Sequence, residues 1–343
     1  MDAGTTGWVG GVKRIIIAVH GLGNKPPPDE LREGWLKAVH EGLERFGKPR
    51  KKIPFEMVYW ADVSYPDPLD PEEKDPNAPR YLKEPYAPST TRAAKKPKRI
   101  YLALLRFLEK NMDRWFLRKD LKETFPGASA KMMERYFSDL NTYYTDSCQT
   151  LDNKDCSAKS AIQERLIQVL EKHLGSEILL ITHSMGSIIA FDTLSDPANK
   201  TQINTFVTMG SPLGLPPIVA RNFENQKQWQ PSRKRPVTPD SIWPHWYNIS
   251  DSRDHVALDQ TLRDDYAPNI HGARALDLRV VNDYEINGLA NPHKSYGYLR
   301  ATETADIIDA FLSEQFDGKL RRTCRLITSN LLAAPHRLWK KIS

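Results

Sequence analysis

The stretch Ile178-Leu179-Leu180-Ile181-Thr182-His183-Ser184-Met185-Gly186-Ser187 constrains this chain more than any other. An apolar, β-branched run ends at a serine flanked by small residues. A helix-like segment, Ile188 to Leu194, follows at once. That pattern reads as strand, sharp turn and helix, with Ser184 at the apex. Such a turn lifts a hydroxyl clear of a sheet and aims a helix N-terminus at it. The plainer alternative is a serine that merely caps a helix. The strand before it and the helix directly after it favour a nucleophile elbow.

The rest of the chain reads as the sheet that such an elbow needs. Arg14 to Val19 is a continuous apolar run of the kind buried on both faces. Glu30 to Phe46 carries Leu31, Trp35, Ala38, Val39, Leu43 and Phe46 at helical spacing. Further strands are expected at Phe55 to Trp60, before Ser184, at Thr205 to Met209, at Trp246 to Ser250 and at Leu278 to Val281. A last helix is expected from Thr302 to Phe311. Strands alternating with helices predict a parallel sheet covered on both faces, with chemistry at the carboxyl ends of the strands. Val63 to Pro97 is too rich in proline and charge for long regular structure. Ile100 to Tyr144 is helical in pattern, with Trp115 and Phe116 beyond its apolar stripe. The expected organisation is a core of residues 1–62 and 145–318, a cap or lid insertion at 63–144, and a basic segment at 319–343.

Composition narrows the function classes. At 343 residues with 40% hydrophobic and 27% charged residues, the chain has the balance of a soluble globular protein. No apolar run approaches the roughly 20 residues that cross a bilayer. The first residues lack the order of a signal peptide. Cys148, Cys156 and Cys324 have no metal-binding spacing, and their odd number argues against a full disulfide framework. A cytoplasmic location is therefore expected. Net charge is +6, yet Lys319, Arg321, Arg322, Arg325, Arg337, Lys340 and Lys341 outweigh it alone. Basicity thus belongs to the C-terminal segment, and no nucleic-acid partner is expected. With Leu331, Leu332, Leu338 and Trp339, that segment is a candidate for peripheral docking on anionic membrane, against the plainer reading of a solvated tail.

Acyl transfer by serine needs an activated hydroxyl, a base held by an acid, and donors for the oxyanion. The segment His20-Gly21-Leu22-Gly23-Asn24 follows the first strand. The amides of Leu22 and Met185 are the candidate oxyanion donors, with His20, Gly21 and Gly23 shaping the loop. A phosphate loop is excluded, because no Gly-Lys-Ser or Gly-Lys-Thr follows. After the fifth strand, Asp254 is the preferred acid and Asp251 the runner-up. Of the nine histidines, His255, His271, His293 and His336 come after the acid. His255 adjoins it, His271 precedes the sixth strand and His336 lies in the tail. That leaves His293 as the base.

Together these residues resemble the α/β-hydrolase superfamily from Arg14 to about Leu312, outside the insertion. His20-Gly21 resembles its oxyanion strand end, His183-Ser184-Met185-Gly186 its elbow, Asp254-His255-Val256 its acid turn and His293 its histidine loop. The order serine, acid, histidine is also that of the family. The insertion and Gly210-Ser211-Pro212-Leu213 resemble lipase-type serine esterases, including those similar to inositol deacylases of GPI anchors. One departure is Thr182, where G-x-S-x-G has its first glycine. The resemblance implies a serine esterase acting on an ester or lipid-like small molecule, with no cofactor and no metal. An acyltransferase or thioesterase on the same triad stays open, as does a catalytically silent lipid-binding module on this fold.

Overall fold

A computed structural model describes residues 13–89, 143–144 and 157–313. Trp115 and Phe116, the three cysteines, His336 and the basic segment at 319–343 lie outside the described residues. Elements are numbered here as they occur along those residues. The chain runs through β1 (Arg14–Val19), α1 (Pro28–Arg45), β2 (Phe55–Val58) and a short 3-10 turn (Ala61–Val63). It continues with α2 (Ala158–Lys172), β3 (Glu177–His183), α3 (Met185–Ser195), β4 (Ile203–Met209) and α4 (Pro216–Trp229). Then come β5 (Ile242–Asp251), α5 (Leu262–Asp265), β6 (Ala275–Val280), a β7–β8 pair (Glu285–Ile286 and Leu289–Ala290), α6 (Ser295–Leu299) and α7 (Thr302–Leu312). Among the described residues, no helix is long and apolar enough to cross a membrane.

The six-stranded sheet has the order β2-β1-β3-β4-β5-β6. Every pairing in it is parallel. The inner strands are rich in apolar residues because both faces are covered, with Thr205, Thr208 and Asn248 buried among them. Ile15, Ile17, Val19, Ile178 and Leu180 join α2, α3 and Trp246 in one core. Ile16, Ala18, Leu179, Ile181 and Val207 join α1, α6 and α7 in the other. Period-two alternation thus feeds two hydrophobic layers from one strand. Each fully buried aliphatic side chain contributes about 1.5–3 kcal/mol by leaving water. This is the α/β-hydrolase fold.

Strand order reverses at β1, which has β2 on one side and β3 on the other. Ligand chemistry in open α/β sheets gathers at such a switch point, outside the carboxyl ends of the strands. Val19 pairs with Thr182, so β1 and β3 end level. The loops carrying His20 and Ser184 therefore emerge side by side. A groove of about 860 Å³, lined by Trp229, Trp243, Arg233 and His271, belongs elsewhere. It opens at the amino ends of β4 and β5, across the sheet from Ser184.

β4 and β6 begin earlier than expected, at Ile203 and Ala275, and two further boundaries depart for physical reasons. β2 stops at Val58 rather than Trp60, because the Trp60 amide donates to His20 Nε2 (3.1 Å) instead of to a ladder. β5 starts at Ile242, before Pro244, where the pairing with β4 shifts register between Ile203 and Thr205. Proline is tolerated where a ladder is already broken. The described part of the proline-rich stretch after β2, through Ser89, makes no long element, as expected, but it does pack: Tyr86 and Ala87 lie against the second core.

The elbow depends on a close crossing. A Cβ on Gly186 would stand 2.7 Å from the carbonyl oxygens of both Val19 and His20. Both neighbours are backbone in a buried strand end and cannot yield cheaply. Gly186→Ala is therefore expected to cost about 1–3 kcal/mol. Urea denaturation checks this, and a midpoint equal to that of the parent would contradict it.

Candidate active site

Ser184 sits at φ 53° and ψ −128°, a conformation rare for a residue with a side chain. Its amide donates to the Met209 carbonyl (3.0 Å), and Met185 opens α3. The strain is held by the packing on both sides. Thr182, at the position of the expected glycine, is accommodated within β3. Its hydroxyl oxygen lies 3.1 Å from the Val207 carbonyl and 3.1 Å from Ser187 Oγ. Threonine thus ties the strand to β4 and to the helix behind the serine.

His293 joins both partners. Its Nε2 is 3.0 Å from Ser184 Oγ. Its Nδ1 is 2.9 Å and 2.8 Å from the two carboxylate oxygens of Asp254. Nδ1–H donating to the carboxylate leaves Nε2 to accept from the serine hydroxyl. Asp254 is fully buried and also accepts from the Tyr298 hydroxyl (2.7 Å) and the Val256 amide (2.8 Å). Burial works against its charge. The His293 imidazole and those two donors outweigh it and hold the carboxyl below its usual range. The Tyr298 phenol is pushed well up by burial and by the Asp254 carboxylate, so it remains a donor.

Asp251 is placed differently. Its carboxylate accepts from Arg253 Nε (3.0 Å), Arg253 Nη2 (2.5 Å) and the Asn282 amide (2.6 Å). It braces the ends of β5 and β6 and makes no bond to His293. The imidazole that meets Ser184 and Asp254 is that of His293, not that of the adjoining His255. His271 lies beside Trp243 at the remote groove, ring centroids 6.1 Å apart. Gly210, φ 53°, floors the acid–base pair, for a Cβ there would stand 2.7 Å from Asp254 Oδ2 and 3.2 Å from His293 Nδ1.

The loop after β1 is shaped by polar contacts that no local pattern announces. His20 stacks on Trp60 at 4.7 Å, and its Nε2 accepts the Trp60 amide. Its Nδ1–H donates to the Gly21 carbonyl (2.7 Å). Carbonyl and N–H point oppositely in a trans peptide. Fixing the Gly21 carbonyl therefore turns the Leu22 N–H the other way. Lys25 Nζ donates to the carbonyls of Leu22 and Gly23, gathering the rest of the loop. Gly21 must stay bare, because a Cβ there would meet Ser184 Cβ at 2.8 Å. His183 completes the frame: its Nε2–H donates to the His293 carbonyl (2.7 Å).

Sequence reading missed the roles of Tyr298, His183, Trp60 and Lys25. His183 had a signal, its place beside the serine. Trp60 and Tyr298 had none, because their partners are distant along the chain; Lys25 bonds within its own loop, where no periodicity marks it. Among the described residues, no group of acids, histidines or cysteines is arranged to hold a metal ion.

The buried histidines carry a pH signature. Burial, aided by Lys25, lowers the His20 pKa well below 6.5, and burial with His293 does the same for His183. A folded pKa below the unfolded one means that the unfolded chain binds more protons as pH drops. Stability is then complete above about pH 6.5 and lost as pH falls below it, by up to ~1.4 kcal/mol per pH unit per histidine. Unfolding free energy should accordingly fall between about pH 6.5 and pH 5, and less steeply in His20→Gln. Parallel curves for the two proteins would remove His20 from this account.

Residues 103–232 match the family model described as the PGAP1-like alpha/beta domain. The match includes the elbow at Ser184 and ends before Asp254 and His293. No curated protein matches the chain. Over those residues the chain is similar to the PGAP1-like α/β-hydrolase family, which agrees with the resemblance seen in its motifs and supports a hydrolase-type enzyme.

Proposed function

We propose that this chain is a serine hydrolase of carboxylic esters, with Ser184 as nucleophile, His293 as base and Asp254 as the orienting acid. The observation that carries the reading is the single imidazole spanning Ser184 Oγ and Asp254. Nucleophile, base and orienter in hydrogen-bond sequence are what activation of a serine requires. In the first step Ser184 Oγ attacks the ester carbonyl carbon while its proton moves to His293 Nε2. Asp254 stabilises the resulting imidazolium through Nδ1–H. The carbonyl oxygen becomes an oxyanion, received by the amides of Leu22 and Met185. The first turn of a helix leaves such amides without intrahelical partners. His293 then protonates the departing alkoxide, and water, activated by the same imidazole, releases the acyl group from Ser184.

The apolar side of the serine favours an acyl or lipid-type ester. Met185 shares a hydrophobic cluster with Leu213, Leu215 and Val256, and Leu22 and Tyr144 pack against it. Met185, Leu213, Leu215 and Val256 are themselves buried, so the partly buried Leu22 and Tyr144 are the apolar groups left for a hydrocarbon chain, which gains about 0.8 kcal/mol per methylene removed from water. Peripheral attachment to anionic membrane through the segment from Lys319 belongs to the same reading, since it would bring the enzyme to such a substrate.

Turnover of a short p-nitrophenyl ester tests the assignment. Ser184→Ala and His293→Ala should each lower kcat by roughly four orders of magnitude or more, with the fold retained by circular dichroism. Asp254→Asn should lose nearly as much, through the wrong imidazole tautomer. Undiminished turnover in folded Ser184→Ala would end the reading.

A further inference from the structure

Glu84 belongs to the proline-rich stretch that sequence reading assigned to the cap or lid insertion. Its carboxylate nevertheless reaches the loop that carries His293. Oε1 accepts from Asn291 Nδ2 (2.8 Å), and Oε2 accepts from Lys294 Nζ (3.1 Å). The two partners flank His293. The Asn291 contact has a directional consequence, because an amide side chain is a donor at one end and an acceptor at the other. With its NH2 taken by Glu84, Asn291 turns Oδ1 toward the His293 amide and accepts from it (3.0 Å). His183 holds the His293 carbonyl from the opposite side (2.7 Å). Both backbone groups of the base are thus clamped, and Glu84 sets one clamp.

The segment that presents Glu84 is fixed in turn. The Tyr284 hydroxyl donates to the Pro85 carbonyl (2.7 Å), and Arg300 Nη1 donates to that of Ala87 (2.6 Å). The Tyr86 hydroxyl and the Ser89 amide both donate to Glu41, each at 3.0 Å. The Tyr86 ring meets Tyr296 edge-on at 5.6 Å. Residues 84–89 therefore form a strap tied down on the far side of the carboxylate. The ion pair with Lys294, at 36% and 24% exposure, contributes little by itself. Orientation of the Asn291 amide is the larger consequence.

We propose that Glu84 is a positioning residue for His293, fixing the base through Asn291 and adding negative charge beside the imidazole. This rests on the reading of Ser184, His293 and Asp254 as a triad. Charged and titratable groups face His293 from several elements: Asp254 and His255 from the loop after β5, Tyr298 from α6, His183 from β3, and Lys294 and Glu84 at its own loop. Asp254 and Glu84 favour the imidazolium and Lys294 opposes it. Burial keeps His183 and His255 toward the neutral form, and Tyr298 remains a phenol. Without the Glu84 charge, Lys294 is left uncompensated next to the base. The positive charge that the base takes up is then less well balanced.

The test follows the rate of Ser184 labelling by a fluorophosphonate from about pH 5 to pH 9, together with kcat and KM for a p-nitrophenyl ester. The proteins compared are the full chain, Glu84→Gln and Glu84→Ala. Glutamine keeps an acceptor for Asn291 but loses the charge. Its acidic limb should move down by a few tenths of a pH unit, with kcat within about twofold. Alanine loses both contributions. It should show the same limb shift and a kcat about tenfold lower, with KM changed by less than about twofold. An unmoved limb and an unchanged kcat in both variants, with Ser184 labelled in the parent, overturn the Glu84 proposal alone. No Ser184 labelling in the folded parent overturns the triad reading, and the Glu84 proposal with it.

Discussion

Gly186 carries only hydrogen on its Cα, and the start of α3 can therefore lie against the carbonyl oxygens of Val19 and His20. The rest of the site depends on that approach. It lets a buried helix begin one residue after β3, which forces Ser184 into its positive-φ turn. It also brings the loop after β1 alongside the serine, with Gly21 nearly touching it. The level ends of β1 and β3 then place a turn of backbone amides beside the hydroxyl. A bulkier residue at the crossing would separate the two loops by shifting the whole helix.

Around that crossing, the polar groups are arranged so that each side chain has one orientation. The two ring nitrogens of His20 are committed to a carbonyl and an amide. His293 is committed at both ring nitrogens and at both backbone groups. Asp254 accepts from a ring, a phenol and an amide. Buried polar networks rigidify when every member is satisfied. A site held in this way needs little reorganisation as charge develops, which is where electrostatic catalysis gains most.

The two carboxylates after β5 illustrate how much a few residues along a loop decide. Asp251 lies in the last position of β5 and serves Arg253 and the Asn282 amide. Asp254 comes one turn later, and its amide donates back to the Asp251 carbonyl (2.9 Å). That turn swings its carboxylate under His293 and over Gly210. One acid braces the sheet edge and the other meets the imidazole. Both are buried, so burial alone could not have told them apart.

The sequence by itself determined the sheet, the strand–turn–helix at Ser184 and the chain order of Ser184, Asp254 and His293. These follow from local periodicity, from glycine where backbones meet, and from the chain direction of a parallel sheet. The end of β2 shifted because a side chain intervened, His20 taking the Trp60 amide. Thr182 looked irregular in the motif, and only its contacts to β4 and Ser187 gave it a place. The sequence already ranked Asp254 above Asp251, but the contact of Asp254 with His293, the bracing by Tyr298 and His183, and the reach of Glu84 to the His293 loop come from tertiary structure alone. Their partners lie far apart in the chain, with 109 positions between Ser184 and His293 and 207 between Glu84 and Asn291. No periodicity encodes such pairs. They exist because two packed layers and a level pair of strand ends bring distant loops to one edge of the sheet.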